Sequence, residues 1–267
     1  MTDIVIYVIL PCNIFTSFYK GISPETLRQC MIVLLAAFGL QILNMILNKI
    51  LYIKLAPERR IVCQYATMVN NASFMGLPVI GAVYGEIGFL YASIVLIPMR
   101  IFMWTAGLSL FTKTDNKQKI KTLVTHPCIL AVVLGFAYAF SSFELPVFLM
   151  DAIGAVGACT TASSLLIVGS ILSEVKPRNV LDKASFYYSF FRLIAIPAVI
   201  FGAMTLLDAD PVTKGAVVLS ASMPAAATTA MLAEKYEKDY AFASKTIFTS
   251  TILSMITLPI IAEILAS

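Results

Sequence analysis

One histidine, one tryptophan and five scattered cysteines leave this 267-residue chain poor in the groups that carry most catalytic and metal chemistry. His126 stands alone before Pro127, with no second nitrogen ligand, so no metal site is expected. Cys12, Cys30, Cys63, Cys128 and Cys159 sit in apolar stretches without a CxxC spacing, and they read as buried thiols, not as a disulfide framework. No HExxH, GxSxG or Walker A pattern occurs; GLSLFTKT (Gly107–Thr114) lacks the glycine before lysine that a phosphate loop needs. The expectation is therefore a non-enzyme with no cofactor, and with no ATP site of its own. Charge is scarce as well: 13% of residues are charged, against about 25% in a soluble domain. The basic residues fall in short loops and form no patch with interleaved aromatics, which argues against a nucleic-acid partner.

What the chain has instead is hydrocarbon. Hydrophobic residues make up 59% of it, and the mean hydropathy is +0.88. A soluble core of ordinary size does not hide that much apolar surface, so the lipid bilayer is its solvent. A membrane span takes about 20 mostly apolar residues. Nine segments qualify, at 3–19, 28–54, 61–82, 87–112, 123–142, 146–173, 184–207, 212–233 and 241–265. The runs are continuous and do not alternate, which predicts helices and an all-α polytopic membrane protein. The first charge is Asp3 and LPCNIF offers no small-residue cleavage site, so 3–19 reads as a span and not as a signal peptide.

Basic residues give the orientation. One set of loops holds Lys49, Lys54, Arg59, Arg60, Lys113, Lys117, Lys119, Lys121, Lys176, Arg178, Lys183, Lys235 and Lys238, and the other only Lys20, Arg28 and Lys214. The positive-inside rule then places the N-terminus in the cytoplasm and the C-terminus outside, in a cytoplasmic membrane.

Two spans carry polar, helix-breaking centres: VNNASFMGLP in the third and SASMPAAATT in the eighth. Each is followed by a similar stretch, YGEIGFLYAS (Tyr84–Ser93) and YEKDYAFAS (Tyr236–Ser244). The breaks lie five spans apart. An odd-numbered unit inserts its second copy upside down, so the expectation is two inverted five-helix repeats, 1–122 with four helices and 123–267 with five. Gly76, Pro78 and Pro224 are the predicted breakers, since proline lacks the N–H that closes a helical bond. A broken helix presents free amides and a partial positive charge at its second half. Two such ends near the bilayer midplane attract an anion, with Asn70, Asn71, Ser73, Thr228 and Thr229 as side-chain donors. Alternatively the breaks are packing kinks, a reading that Gly81 and Gly85 suit as a GxxxG pair.

Other polar residues lie within spans. Gln41, Asn44 and Asn48 share one helix face at i, i+3 and i+7, and line a pathway or bond a neighbouring helix. Arg100 and Arg192 each sit a few residues into a span, where an unpaired arginine costs about 2.5–3.5 kcal/mol; both are candidates for the substrate path or for coupling, and snorkelling to the interface is the other reading. Asp151 is a candidate protonation site or an N-cap. Asn13, after Pro11, is placed against the same cavity.

NASFMGLPV, GEIGFLYAS, RIFMWTAGLSLF, YYSFFRLIAIP, MPAAATTAMLAEKY and STILSMITLP, in this order along nearly the whole chain, resemble the auxin efflux carrier family. The resemblance implies ten helices in two inverted repeats, a homodimeric scaffold, and a transport part whose two broken helices cross. It maps the crossover to Asn70–Pro78 and Met223–Thr229, Met223 and Pro224 included. LPCNIFTSF resembles the family's second helix, so the first family helix is expected to be missing. The implied function is carriage of a small organic anion, a carboxylate or an auxin-like acid, by alternating access, with H+ or Na+ as a candidate coupling ion. A receptor that binds its ligand at the same crossover without moving it is the alternative.

Overall fold

A helix spanning lipid has to satisfy its own backbone, and helices occupy each of the nine predicted segments. The computed structural model describes residues 2–17, 23–112, 125–141, 145–173 and 182–266. Lys20, the lysines from Lys113 to Lys121, Lys176 and Arg178 lie outside those residues. In chain order the helices are α1 (Val5–Thr16), α2 (Pro24–Asn48), α3 (Pro57–Met68), α4 (Ala72–Phe111), α5 (Pro127–Ala139), α6 (Val147–Ala158), α7 (Thr160–Ser173), α8 (Lys183–Leu206), α9 (Pro211–Ala221), α10 (Thr228–Lys235) and α11 (Tyr240–Ala266). Among the described residues no strand forms; the one β-type contact is an isolated antiparallel bridge between Asn70 and Ala225.

Length separates the elements into two kinds. α2, α4, α8 and α11, and the run Val147–Ile167, are long and apolar enough to cross a bilayer. α3 has 12 residues and α9 has 11, about 17–18 Å each at 1.5 Å per residue, little more than half of a 30 Å hydrocarbon layer. They are half-spans, and they are the first halves of the two segments predicted to break.

The helices pack in two groups. α1 lies against α5 and α6, while α4 packs on α2 and α9, and α11 on α8 and α10. α7 meets the second group at residues 72–76, at the start of α4. Arg59, early in α3, ties one end of the larger group. It donates to Asp182 (3.1 Å) and Asp239 (3.0 Å), and its guanidinium lies 4.8 Å from the centre of the Phe242 ring. The same carboxylates accept from Ala184 N and Phe242 N, so they also cap α8 and α11.

Proline shapes the helices in a repeated way. Val5–Ile9, Ala72–Gly76 and Phe191–Ala195 are wide π turns, and each ends two residues before a proline: Pro11, Pro78 and Pro197. A proline ring collides with the carbonyl four residues back. In all three cases that carbonyl belongs to the middle residue of the wide turn (Tyr7, Phe74, Leu193), and widening the turn moves it aside. Pro78 therefore bends α4 without breaking it. The break predicted at Gly76 and Pro78 falls instead at Val69–Asn71, where Val69 is extended (φ −121°, ψ 101°).

Gly81 and Gly85 do not act as one helix-packing pair. A Cβ on Gly81 would stand 3.2 Å from the Phe89 ring beyond the kink, whereas one on Gly85 would meet nothing within 4 Å. Gly85 has φ 65° and ψ −153°, a region open essentially to glycine alone, and it kinks α4 between its first stretch and the long run to Phe111. Gly85→Ala is expected to lower stability by about 1–3 kcal/mol from backbone strain alone. Thermal unfolding in detergent measures this; an unchanged melting temperature would contradict the assignment.

Candidate functional site

The two interrupted spans meet where they break. Asn71 N donates to Pro224 O (2.8 Å), and the isolated Asn70–Ala225 bridge joins the two interrupted segments. Asn70 Nδ2 donates across the crossing to Ser220 O (2.5 Å), while its Oδ1 accepts from Ala72 N (3.3 Å) and so caps α4. Ala225 N donates to Ser250 Oγ (3.2 Å), which pins the second break to α11. Asn70 and Ser250 thus satisfy backbone groups that would otherwise stand unpaired at membrane depth, at several kcal/mol each.

The four half-helix ends fall into two electrostatic pairs. α3 and α9 end at the crossing, so their last carbonyls and negative dipole ends face inward. Arg192 takes both. Its Nε donates to Met223 O (3.0 Å) and one terminal nitrogen to Thr67 O (2.9 Å), and the residue is only 1% exposed. A planar fork with five donors suits two carbonyls from different chain segments, and a lysine does not match it. Arg192 is a brace inside the protein and does not snorkel.

α4 and α10 begin at the crossing, so their free amides and positive ends face inward. Beside them opens a cavity of about 650 Å³, within the range of small-molecule sites. Asn70, Asn71, Ser73, Arg100 and Thr228 line it, with Asp3, Glu234 and Lys245 also on its wall. Arg100 is 8% exposed. One of its terminal nitrogens donates to Ser73 Oγ (2.9 Å) and the other contacts Met103 Sδ (3.6 Å), while its Nε has no partner. No carboxylate among the described residues pairs with it. The side-chain amide of Asn71 likewise has no hydrogen-bond partner among the described residues. A buried cation and a buried amide with donors to spare stand between two helix N-termini, an arrangement complementary in charge to an anion.

Other predicted residues fall elsewhere. Pro78, Met223, Pro224 and Thr229 are close to the crossing but do not line the cavity. Met223 and Pro224 contribute carbonyls, and Thr229 Oγ1 is buried without a partner. Asn13 is not on the cavity wall; its Nδ2 donates to Gly157 O (2.9 Å), and a Cβ on Gly157 would come within 3.0 Å of the Asn13 backbone, so the residue packs α1 on α6. Gln41, Asn44 and Asn48 share a buried face of α2, as their spacing predicts, yet none lines the cavity. Asn48 and Gln64 trade bonds, each side-chain amide donating to the other's backbone carbonyl (2.8 and 2.9 Å), which ties α2 to α3. Asp151 is exposed and lies inside α6, whose N-cap is Pro146, so it caps nothing. Sequence reasoning did not single out Ser250, or Tyr65, whose OH reaches Thr228 Oγ1 at 3.4 Å; an isolated hydroxyl in an apolar run carries no local signal.

Crossed, interrupted membrane helices beside a polar-lined cavity define a polytopic, all-α membrane protein. The model of the membrane transport protein family matches residues 1–262, and the chain belongs to this family, the auxin efflux carrier group that its motifs resemble. An uncharacterized transporter of Methanocaldococcus jannaschii is 25% identical over 271 residues, covering 97% of this chain and 86% of its own. A second uncharacterized transporter, from Methanothermobacter thermautotrophicus, is 27% identical over 203 residues, or 75% of this chain and 66% of its own. A Rhizobium meliloti protein named "Putative malonate transporter" is 30% identical over 138 residues, or 51% and 43% of the two chains. The protein is a membrane transporter.

Proposed function

We propose that this transporter carries a small organic anion across the cytoplasmic membrane by alternating access, holding its carboxylate at the crossing of the two broken spans. The observation that carries the reading is Arg100: a buried guanidinium on the cavity wall with no carboxylate partner among the described residues. A charge left unpaired at this depth costs about 2.5–3.5 kcal/mol, and a bound carboxylate offsets that cost. The helix N-termini at Ala72 and Thr228 and the free amide of Asn71 supply further donors. The relative named for malonate agrees with a carboxylate substrate.

The two interrupted spans are read as equivalent parts of two inverted units, 1–122 and 123–267. In support, α4 turns at Tyr84–Gly85 and α10 leads into α11 through Tyr236–Glu237, with positive φ at the second residue each time (65° and 52°). The cavity wall includes Asp3 and Glu234, near the N-terminus and next to Lys235. By the positive-inside rule that side is cytoplasmic, so the cavity opens inward.

Counterflow in proteoliposomes tests the proposal. Vesicles preloaded with malonate are expected to accumulate labelled malonate or a related carboxylate, whatever the coupling ion. Carboxylates that bind and shift the melting temperature but never accumulate would replace the carrier with a ligand-binding receptor.

A further inference from the structure

A second hollow lies away from the crossover, in a groove between α8, α9 and α11. It has a volume of about 360 Å³, open along one side where Ile194 and Ile260 are half exposed, and its walls are almost wholly hydrocarbon: Ile194, Ala198, Phe201, Val218 and Ile260, with Thr257 the one polar residue. Leu193 and Thr257 mark its deep end, and Phe201 and Leu265 its other end. Leu193 adjoins Arg192, which grips the crossing, so the deep end is at crossover depth. Eight residues at 1.5 Å per residue give the groove a length of about 12 Å, close to one leaflet's share of a 30 Å hydrocarbon core.

Length and charge select the occupant. An apolar groove about one leaflet deep accepts an alkyl chain lying along it. At the shallow end stands a cation. Lys214, one turn into α9, holds its Nζ 5.4 Å from the centre of the Phe201 ring, and it forms no ion pair among the described residues. A hydrocarbon slot one leaflet deep, with an ammonium at its mouth, matches an amphiphile with a negatively charged head.

We propose that this groove is a phospholipid site, with one acyl chain lying between α8, α9 and α11 and the phosphate on Lys214 Nζ. The contact is electrostatic where a basic side chain meets anionic lipid and apolar where the chain lies along the groove. It is independent of the anion site at the crossing.

Native mass spectrometry of the detergent-purified protein tests this with two probes: phosphatidylglycerol, and diacylglycerol with the same chains. The wild type is expected to retain one phosphatidylglycerol and to bind it about fivefold more tightly than diacylglycerol, the factor one basic residue near an anionic headgroup supplies. Lys214→Gln should remove that preference and leave chain binding in place. Ala198→Phe, which fills the slot, should lose both lipids; Ile260→Trp, on a half-exposed wall position, repeats the test if Ala198→Phe does not fold. Retention of phosphatidylglycerol in the slot-filling variants, or an unchanged preference in Lys214→Gln, would overturn the proposal. So would a lipid-free dimer that Ala198→Phe dissociates.

Discussion

Arg100→Gln is expected to weaken carboxylate binding about 10- to 150-fold and at the same time to raise the melting temperature. Charge-assisted hydrogen bonds contribute about 1.5–3 kcal/mol each, and each 1.4 kcal/mol is tenfold in affinity. In the ligand-free protein the balance runs the other way. The guanidinium is buried, its Nε is unpaired, and its bonds go only to a hydroxyl and a thioether. Relief of about 2.5–3.5 kcal/mol for a buried charge outweighs the loss of the one hydrogen bond from the guanidinium to Ser73, about 1.5–3 kcal/mol. The net gain is about 0.5–1 kcal/mol. Paired thermal-shift and counterflow measurements read both signs. A variant that transports normally, or that loses activity by failing to fold, contradicts the assignment of Arg100 to the anion.

Arg192→Ala is expected to do the opposite to stability and to lose transport only as a consequence. It orphans the carbonyls of Thr67 and Met223, at about 1–3 kcal/mol each. It also leaves a cavity where one of the largest fully buried side chains stood, at about 2–5 kcal/mol. Against these stands about 2.5–3.5 kcal/mol for removing the charge, so the sum is destabilising by several kcal/mol. Arg192→Lys should recover part of the loss, because an ammonium reaches one carbonyl and does not fork to two. Folded yield and melting temperature are the measurements. A stable, carboxylate-blind Arg192→Ala protein would move this residue from the brace into the binding site.

The helical class, the nine segments and the two interrupted spans were all legible in the sequence. Long apolar runs allow one backbone solution in lipid, and Asn-Asn, Gly and Pro inside such runs have no ordinary place there. The break falls within the stretch VNNASFMGLP, but at its first residues and not at Gly76 and Pro78. Pro78 looks like the breaker, but a wide turn four residues upstream absorbs its ring, and the chain leaves the helix at Val69 instead. Gly85 shows the same limit: its spacing from Gly81 suggests helix packing, whereas its φ of 65° makes it a hinge. Spacing reports which face a residue shares, and it does not report whether the helix continues.

Within the site the split is sharper. Asn70 and Asn71 are neighbours of one type; one is consumed in holding α4 to α9, and the other keeps its side chain free on the cavity wall. Arg100 and Arg192 are alike by every local measure, each near a proline in a hydrophobic span.

Hydropathy, charge asymmetry and paired interruptions therefore determine from the sequence alone that this chain lives in a membrane and breaks two of its spans. Which arginine holds the fold and which faces the solute is decided by tertiary structure. That depends on whether helix carboxyl ends or helix amino ends converge around the guanidinium, and partners so far apart in the chain leave no mark on the residues next to it.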